Sequence, residues 1–201
     1  MTKTPLAVDV DGVLLDWVSK GFKPYVEKRL GKVLNPNGPK DWDMSKWVGV
    51  SFQQTIDLIQ DFNESEEFGQ IPPFVCAKRV FPHFKKHGHP VWLISSCSNR
   101  QEVLERRYRN IFEKLDDCFD HITCLPLNKD KGDVLKEVSF QYGTGVWVED
   151  RFENALTGAE QGWKTFIIRR SYNRLDESQH FHENITWVDD WFEIGQKFFE
   201  L

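Results

Sequence analysis

The chain has 201 residues, 40% of them hydrophobic and 28% charged, which suits one domain with a sizeable core, or one core carrying a small inserted lobe, rather than two full domains. A net charge of −5 argues against a grip on long nucleic acid, which needs a basic face, but leaves small anionic ligands open, because a local site can be positive on an acidic protein. No apolar run approaches the ~20 residues of a membrane-spanning helix, and the four cysteines (Cys76, Cys97, Cys118, Cys124) form no CxxC pair, so neither a disulfide framework nor a zinc knuckle is expected.

Met1-Thr2-Lys3-Thr4-Pro5 leads straight into a short apolar run broken by Asp9 and Asp11, which no secretory apolar region tolerates; a cytoplasmic location is the expectation. The segment Pro5–Val10 is bounded by Pro before and Asp11-Gly12 after, and predicts a buried strand. The pattern recurs at Val91-Trp92-Leu93-Ile94, which stops at Ser95-Ser96, and at Val146-Trp147-Val148, which stops at Glu149-Asp150. Phe119–Cys124 and Lys164–Ile168 are two further strand candidates. Helix-like stretches lie between them: Val75 to His87, Arg100 to Leu115, Gly132 to Val138, and Phe152 to Gln161 ahead of Gly162. Alternating strands and helices, with strands apolar throughout, predict an α/β fold with a doubly wound parallel sheet covered on both faces.

The rhythm breaks once. About sixty residues follow the first strand, far more than an ordinary connection. They hold a helix-like run (Trp17 to Leu30), a turn region at Asn35-Pro36-Asn37-Gly38-Pro39, and a second helical stretch from Ser51 to about Phe62. The expected organisation is a core of residues 1–15 and 74–201 with a small helical cap, 16–73, over the carboxyl end of the sheet, where such folds bind ligands. Trp187 to Leu201 reads as a closing helix capped near Asp189 or Asp190.

With right-handed crossovers, the strand ends carrying Asp9-Val10-Asp11-Gly12, Ser95-Ser96 and Glu149-Asp150 collect on one edge of the sheet. Carboxylates converging there repel one another unless a cation sits among them, and an all-oxygen site suits Mg²⁺. Lys131 offers a counter-charge for a bound anion. Each piece alone has a structural alternative: Asp-Gly forms turns, Ser95-Ser96 and Glu149-Asp150 can cap helices, and a single Lys is usually solvated.

Together these pieces resemble the haloacid dehalogenase superfamily of phosphohydrolases, from Leu6 to about Ile168. Leu6 through Val13 matches its strand followed by Asp-x-Asp-Gly-Val; Val91 through Ser95 matches its strand ending in Ser or Thr. Lys131 matches its lone lysine, with Lys129 as an alternative, and Val146 through Asp150 matches its strand ending in an acidic pair. The resemblance implies Asp9 as nucleophile and Asp11 as acid/base. It implies Mg²⁺ held by Asp9, the backbone carbonyl of Asp11 and Asp150, with Glu149 in support, and phosphate bound by Ser95, Ser96 and Lys131. Asp11 favours a phosphatase over a dehalogenase, since an alkoxide leaving group needs a proton and a halide does not.

Within the superfamily, the cap length, Asp11-Gly12-Val13-Leu14-Leu15-Asp16, Phe68-Gly69-Gln70-Ile71-Pro72-Pro73 and Glu149-Asp150-Arg151 are most similar to the 5′(3′)-deoxyribonucleotidases, implying a small-molecule phosphomonoester substrate, a nucleoside monophosphate. Departures are Glu149 for the commoner Asp, Ser95 for Thr, and a longer stretch between Lys131 and Val146. The alternatives are a sugar phosphate, a nucleic-acid 3′-phosphate bordered by Arg100 to Arg109, or a silent binding protein on the same fold. Among the aromatic residues of the cap, Trp42, Trp47 and Phe22 are the candidates for stacking on a base. Arg100, Arg106, Arg107 and Arg109, interleaved with Glu102 and Glu105, read as a solvated face laced with ion pairs, and His83, His87 and His89 as helix-end histidines rather than metal ligands.

Overall fold

The computed structural model describes residues 3–116, 118–127 and 129–199. Its centre is one parallel sheet of six strands: β1 (Leu6–Asp9), β2 (Val91–Ser96), β3 (His121–Leu125), β4 (Val146–Glu149), β5 (Lys164–Ile168) and β6 (Ile185–Val188), in the order β3-β2-β1-β4-β5-β6. The chain winds outward from β1 to one edge and, from β4, to the other. The order therefore reverses beside β1, and the crevice at such a reversal opens at the carboxyl ends of β1 and β4.

The strands read as continuous apolar runs because successive side chains enter two different cores. Leu6, Val8, Leu93, Val146 and Val148 face one, where Phe81 and Phe84 of α4 (Val75–Lys86), Ile111 of α5 (Gln101–Leu115) and Ile194 of α9 (Trp191–Phe199) pack. Ala7, Trp92, Ile94 and Trp147 face the other, with Leu135 and Val138 of α6 (Gly132–Tyr142) and with Trp163. α7 (Phe152–Glu160) covers β4 and β5 and stops at Gly162, whose φ of +85° is a left-handed conformation that favours glycine.

Between β1 and α4 lie a π-helical turn (Trp17–Phe22) running into α1 (Lys23–Leu30), a one-turn α2 (Ser45–Val48), α3 (Phe52–Asn63) and a 3₁₀ turn (Glu66–Gln70). α3 starts where Ser51 predicts: Gln54 N donates to Ser51 Oγ at 3.2 Å and Ser51 N donates to Gln54 Oε1 at 3.0 Å, a reciprocal cap. Entry and return of this segment are tied together, with Asp16 N bonding Pro72 O at 3.0 Å and Phe74 N bonding Leu14 O at 2.9 Å. No helix is long and apolar enough to cross a membrane, among the described residues.

Two carboxyl-terminal features differ from expectation. Trp187 is not in the closing helix but in β6, an edge strand of four residues, and the helix begins only at Trp191, with Asp190 Oδ1 accepting from Phe192 N and Glu193 N; Glu200 and Leu201 lie outside the described residues. A short α8 (Arg174–Gln179) also intervenes between β5 and β6.

Candidate active site

Asp9 closes β1 with its side chain buried, and the chain then turns sharply. Leu14 N and Leu15 N both bond Val10 O at 2.9 Å, and Gly12 N bonds Leu15 O at 2.9 Å. Gly12 holds φ +78°, and a Cβ there would lie 1.9 Å from Asp150 Oδ2 and 2.5 Å from the Tyr172 hydroxyl oxygen. Glycine is therefore required on two counts, conformation and space. The turn sets Asp9 and Asp11 on the same rim as Asp150, which follows β4.

Lys131, buried at the start of α6, donates to Asp9 Oδ1 at 2.5 Å and to Glu149 Oε1 at 2.6 Å. Lys129, in contrast, is exposed. Glu149 is fully engaged within the chain: Asn154 Nδ2 also donates to Oε1 at 2.8 Å, while Asp150 N and Arg151 N donate to Oε2 at 2.8 and 2.9 Å. Asp150 accepts from the Tyr172 hydroxyl on Oδ2, and Asn173 Nδ2 bonds its carbonyl at 2.7 Å. Asp9 and Asp150 thus each keep one carboxylate oxygen without a hydrogen bond among the described residues.

The electrostatics follow from burial. Desolvation, opposed by Lys131, pushes the Asp9 carboxyl up to about 8; burial, with Glu149 and Asp9 nearby, raises Asp150 well above the carboxylate range. Glu149 is buried too, but Lys131 and its hydrogen bonds outweigh burial and hold it low. Carboxylate oxygens of Asp9, Glu149 and Asp150 lie within 4.8 Å of one another. A cluster that buried, with two raised carboxyls and spare hard oxygen donors, fits a small divalent cation. Asp9 and Asp150 have the free oxygens, and Glu149, saturated by Lys131 and backbone N–H groups, orients its neighbours.

Asp11 points elsewhere. Its two oxygens accept from a single nitrogen of Arg107, Nη2, at 2.7 and 2.6 Å, and Arg107 has no exposed surface. The charge pattern of the helix assigns Arg107 to a solvated face; the structure corrects this. α5 buries Val103, Arg107, Asn110, Ile111 and Leu115 on one stripe, and helical spacing from Val103 and Ile111 is the signal that one arginine faces inward. Its neighbours do face out and pair with the inserted segment, Arg106 and Arg109 with Glu66 and Arg100 with Glu64.

Ser96 is half-buried on the wall of a cavity of about 410 Å³ with Asp9, Asp11, Lys131, Asp150 and Trp42, while Ser95 lies fully buried behind it with Oγ unpartnered among the described residues. An adjoining cavity of about 630 Å³ shares Asp11, Ser96, Asp150, Arg151 and Trp42 and runs under the inserted segment along Trp17, Met44, Phe52, Ile56 and Ile59. Trp42 stands where the two meet, its ring 4.8 Å from that of Tyr172 and 5.4 Å from the Arg151 guanidinium. Phe22 and Trp47 are not there. Phe22 is fully buried, stacked on Trp17 at 4.8 Å and against Phe62, so it forms the segment's own core. Trp47 belongs to α2, donates from Nε1 to Asn35 O at 2.9 Å and lines neither cavity. Tyr172, Asn173 and Asn154 carry no motif to mark them in the sequence.

No family model matches the sequence. A haloacid dehalogenase-like hydrolase family protein from Streptococcus pneumoniae superposes with a TM-score of 0.65 at 15% identity, covering 98% of each chain. The D,D-heptose 1.7-bisphosphate phosphatase of B. bronchiseptica, in complex with magnesium and phosphate, gives 0.61 at 12% identity over 98% of each chain. The fold is that of the haloacid dehalogenase superfamily. In sequence, the chain is 22% identical over 191 residues, 92% of each chain, to the protein named "Putative nucleotidase BH1399" of Halalkalibacterium halodurans. Asp9, Asp11, Ser96, Lys131 and Asp150 line one cavity at the carboxyl rim of this fold, with Ser95 buried behind it.

Proposed function

We propose that the chain is a Mg²⁺-dependent phosphomonoesterase that hydrolyses nucleoside monophosphates, and that residues 16–73 act as the cap that selects the substrate. The observation that carries the reaction is the buried Lys131 shared by Asp9 and Glu149 beside Asp150, on a rim that also holds a second acid, Asp11, two residues from the first. Asp9 attacks phosphorus, the bond to the leaving oxygen breaks, and Asp11 delivers a proton to that oxygen. Asp11 then takes a proton from the water that attacks the aspartyl-phosphate, which frees phosphate and restores Asp9. Lys131 and Ser96, on the cavity wall, bind the phosphoryl oxygens, whose charge must be neutralised for transfer. Mg²⁺, held by Asp9, Asp150 and the Asp11 carbonyl, supplies positive charge that lets one anion approach another.

The nucleoside half is supported by the shape of the cleft. A cavity lined by the charged side chains of Asp9, Asp11, Lys131 and Asp150 adjoins a larger, mainly apolar one with Trp42 at the junction, which suits a phosphate carrying a flat apolar group. Arg100, Arg106 and Arg109 pair with Glu64 and Glu66, which sets anionic side chains against the cationic face of that helix. Phosphate release is measured over nucleoside 5′-monophosphates, sugar phosphates and 3′-phosphorylated oligonucleotides, with Mg²⁺ and with EDTA. Highest turnover on nucleotides, abolished by EDTA, is the expected result. Activity indifferent to EDTA, or confined to sugar phosphates, would overturn the cation or the substrate respectively.

A further inference from the structure

We infer that Arg107 is a positioning residue for Asp11, fixing the acid/base carboxylate at the rim and tying its placement to the seating of the inserted segment. The inference rests on the phosphomonoesterase reading above. A guanidinium with no exposed surface, on an apolar stripe between Val103 and Ile111, is not explained by stability: an apolar side chain of similar volume in that place is often as stabilising as a buried ion pair. Its partner is 96 residues away, and it is the one acid whose direction the reaction depends on.

The contact geometry suits positioning without blocking. One nitrogen bridges both Asp11 oxygens, so the carboxylate cannot swing about its bond to Cβ without losing a hydrogen bond, yet each oxygen retains lone-pair capacity for a proton. Arg107 is itself held from the inserted segment. Its guanidinium carbon lies 4.0 Å from the centre of the Phe68 ring, in the 3₁₀ turn. Nη1 reaches Asn110 Oδ1 at 3.4 Å, and Asn110 Nδ2 donates to Ile71 O at 3.0 Å, in the stretch that returns to the sheet. Glu66, in the same 3₁₀ turn, pairs with Arg106 and Arg109 from the same helix. Movement of residues 66–71 would therefore withdraw the supports of the group that aims Asp11.

Two substrates separate this role from a structural one. A nucleoside 5′-monophosphate leaves as an alkoxide that needs the proton of Asp11, whereas 2,4-dinitrophenyl phosphate leaves as a stable phenolate that needs none. Arg107→Met is expected to lower kcat/KM for the nucleotide by ~100-fold or more, the usual contribution of a placed acid/base group, and to leave kcat/KM for the aryl ester within about a tenth of that loss. Because Asp11 still serves in the second step, the variant should release dinitrophenolate in a burst ahead of steady turnover. Arg107→Lys keeps the charge but not the planar group that also reaches Asn110 and Phe68, and should restore part of the nucleotide rate; it carries the same comparison if the Met variant does not fold. Equal losses on both substrates, or none on either, would overturn the inference. A wild-type chain that hydrolyses neither substrate would instead remove the function proposed above.

Discussion

Lys131 Nζ lies 2.5 Å from Asp9 Oδ1, with both side chains more than nine-tenths buried. A lysine that deep is held charged because Asp9 and Glu149 outweigh the burial that would otherwise lower it. Lys131→Met leaves two buried carboxylates without their shared counter-charge. It should cost about 3–5 kcal/mol of stability in denaturant unfolding, and lower kcat/KM by at least ~100-fold. Lys129→Ala, at an exposed position, should shift stability by less than ~0.5 kcal/mol. Equal effects at the two lysines would contradict the assignment of Lys131.

The raised Asp9 carboxyl has a pH signature. The unfolded chain releases this proton near the ordinary value of 3.8, and the folded chain without metal holds it to about 8. Between those limits the folded state binds more protons, so its stability falls as pH rises through the window. A cation at Asp9 and Asp150 must displace such protons, and its affinity should therefore climb with pH, by about tenfold per unit for each proton expelled. Calorimetric Mg²⁺ titrations in two buffers of different ionisation enthalpy measure the release; binding that is independent of pH between neutrality and about 8 would count against the site.

Gly12→Ala forces a left-handed conformation on a residue with a Cβ and drives that atom into the Asp150 carboxylate. Strain of order 1–3 kcal/mol is expected, with loss of most activity because Asp150 must move. Thermal unfolding and turnover of the variant test the two effects separately; wild-type turnover would show that the Asp150 position is unimportant.

Trp42→Ala should raise KM for a nucleotide more than for a small aryl phosphate, since one base–ring stack is worth ~1–3 kcal/mol. Trp47→Ala, outside both cavities, should leave the ratio of the two KM values unchanged. Phe22→Ala should act on stability instead, at about 3–5 kcal/mol. A ratio that shifts equally for Trp42 and Trp47 would mean that both rings only support the segment.

The contrast among these three rings shows how far sequence reaches. Four of the first five strands, β1, β2, β4 and β5, are legible because a strand buried on both faces must be apolar at nearly every position; the Lys164–Ile168 strand is found with those very bounds, whereas β3 lies at the sheet edge and is only half-buried. β6 is not legible, because its four residues alternate in exposure at the sheet edge and merge with the apolar start of α9. The charged rim is readable through spacing at strand ends. Which aromatic faces a cleft depends on packing between segments far apart in sequence, as does the inward turn of Arg107, whose charge among glutamates resembles a solvated face. Tyr172 and Asn173 reach Asp150 from the loop after β5, where no motif announces them.

In the proposed reaction Asp9 carries the phosphoryl group between the two steps. Acid-quenched wild-type protein, taken during turnover of a nucleoside monophosphate and digested, should yield the peptide containing Asp9 with the mass of one added phosphoryl group, and Asp9→Asn should yield neither that peptide nor released phosphate. Steady phosphate release from Asp9→Asn, or a phosphoryl group found on another residue, would contradict it.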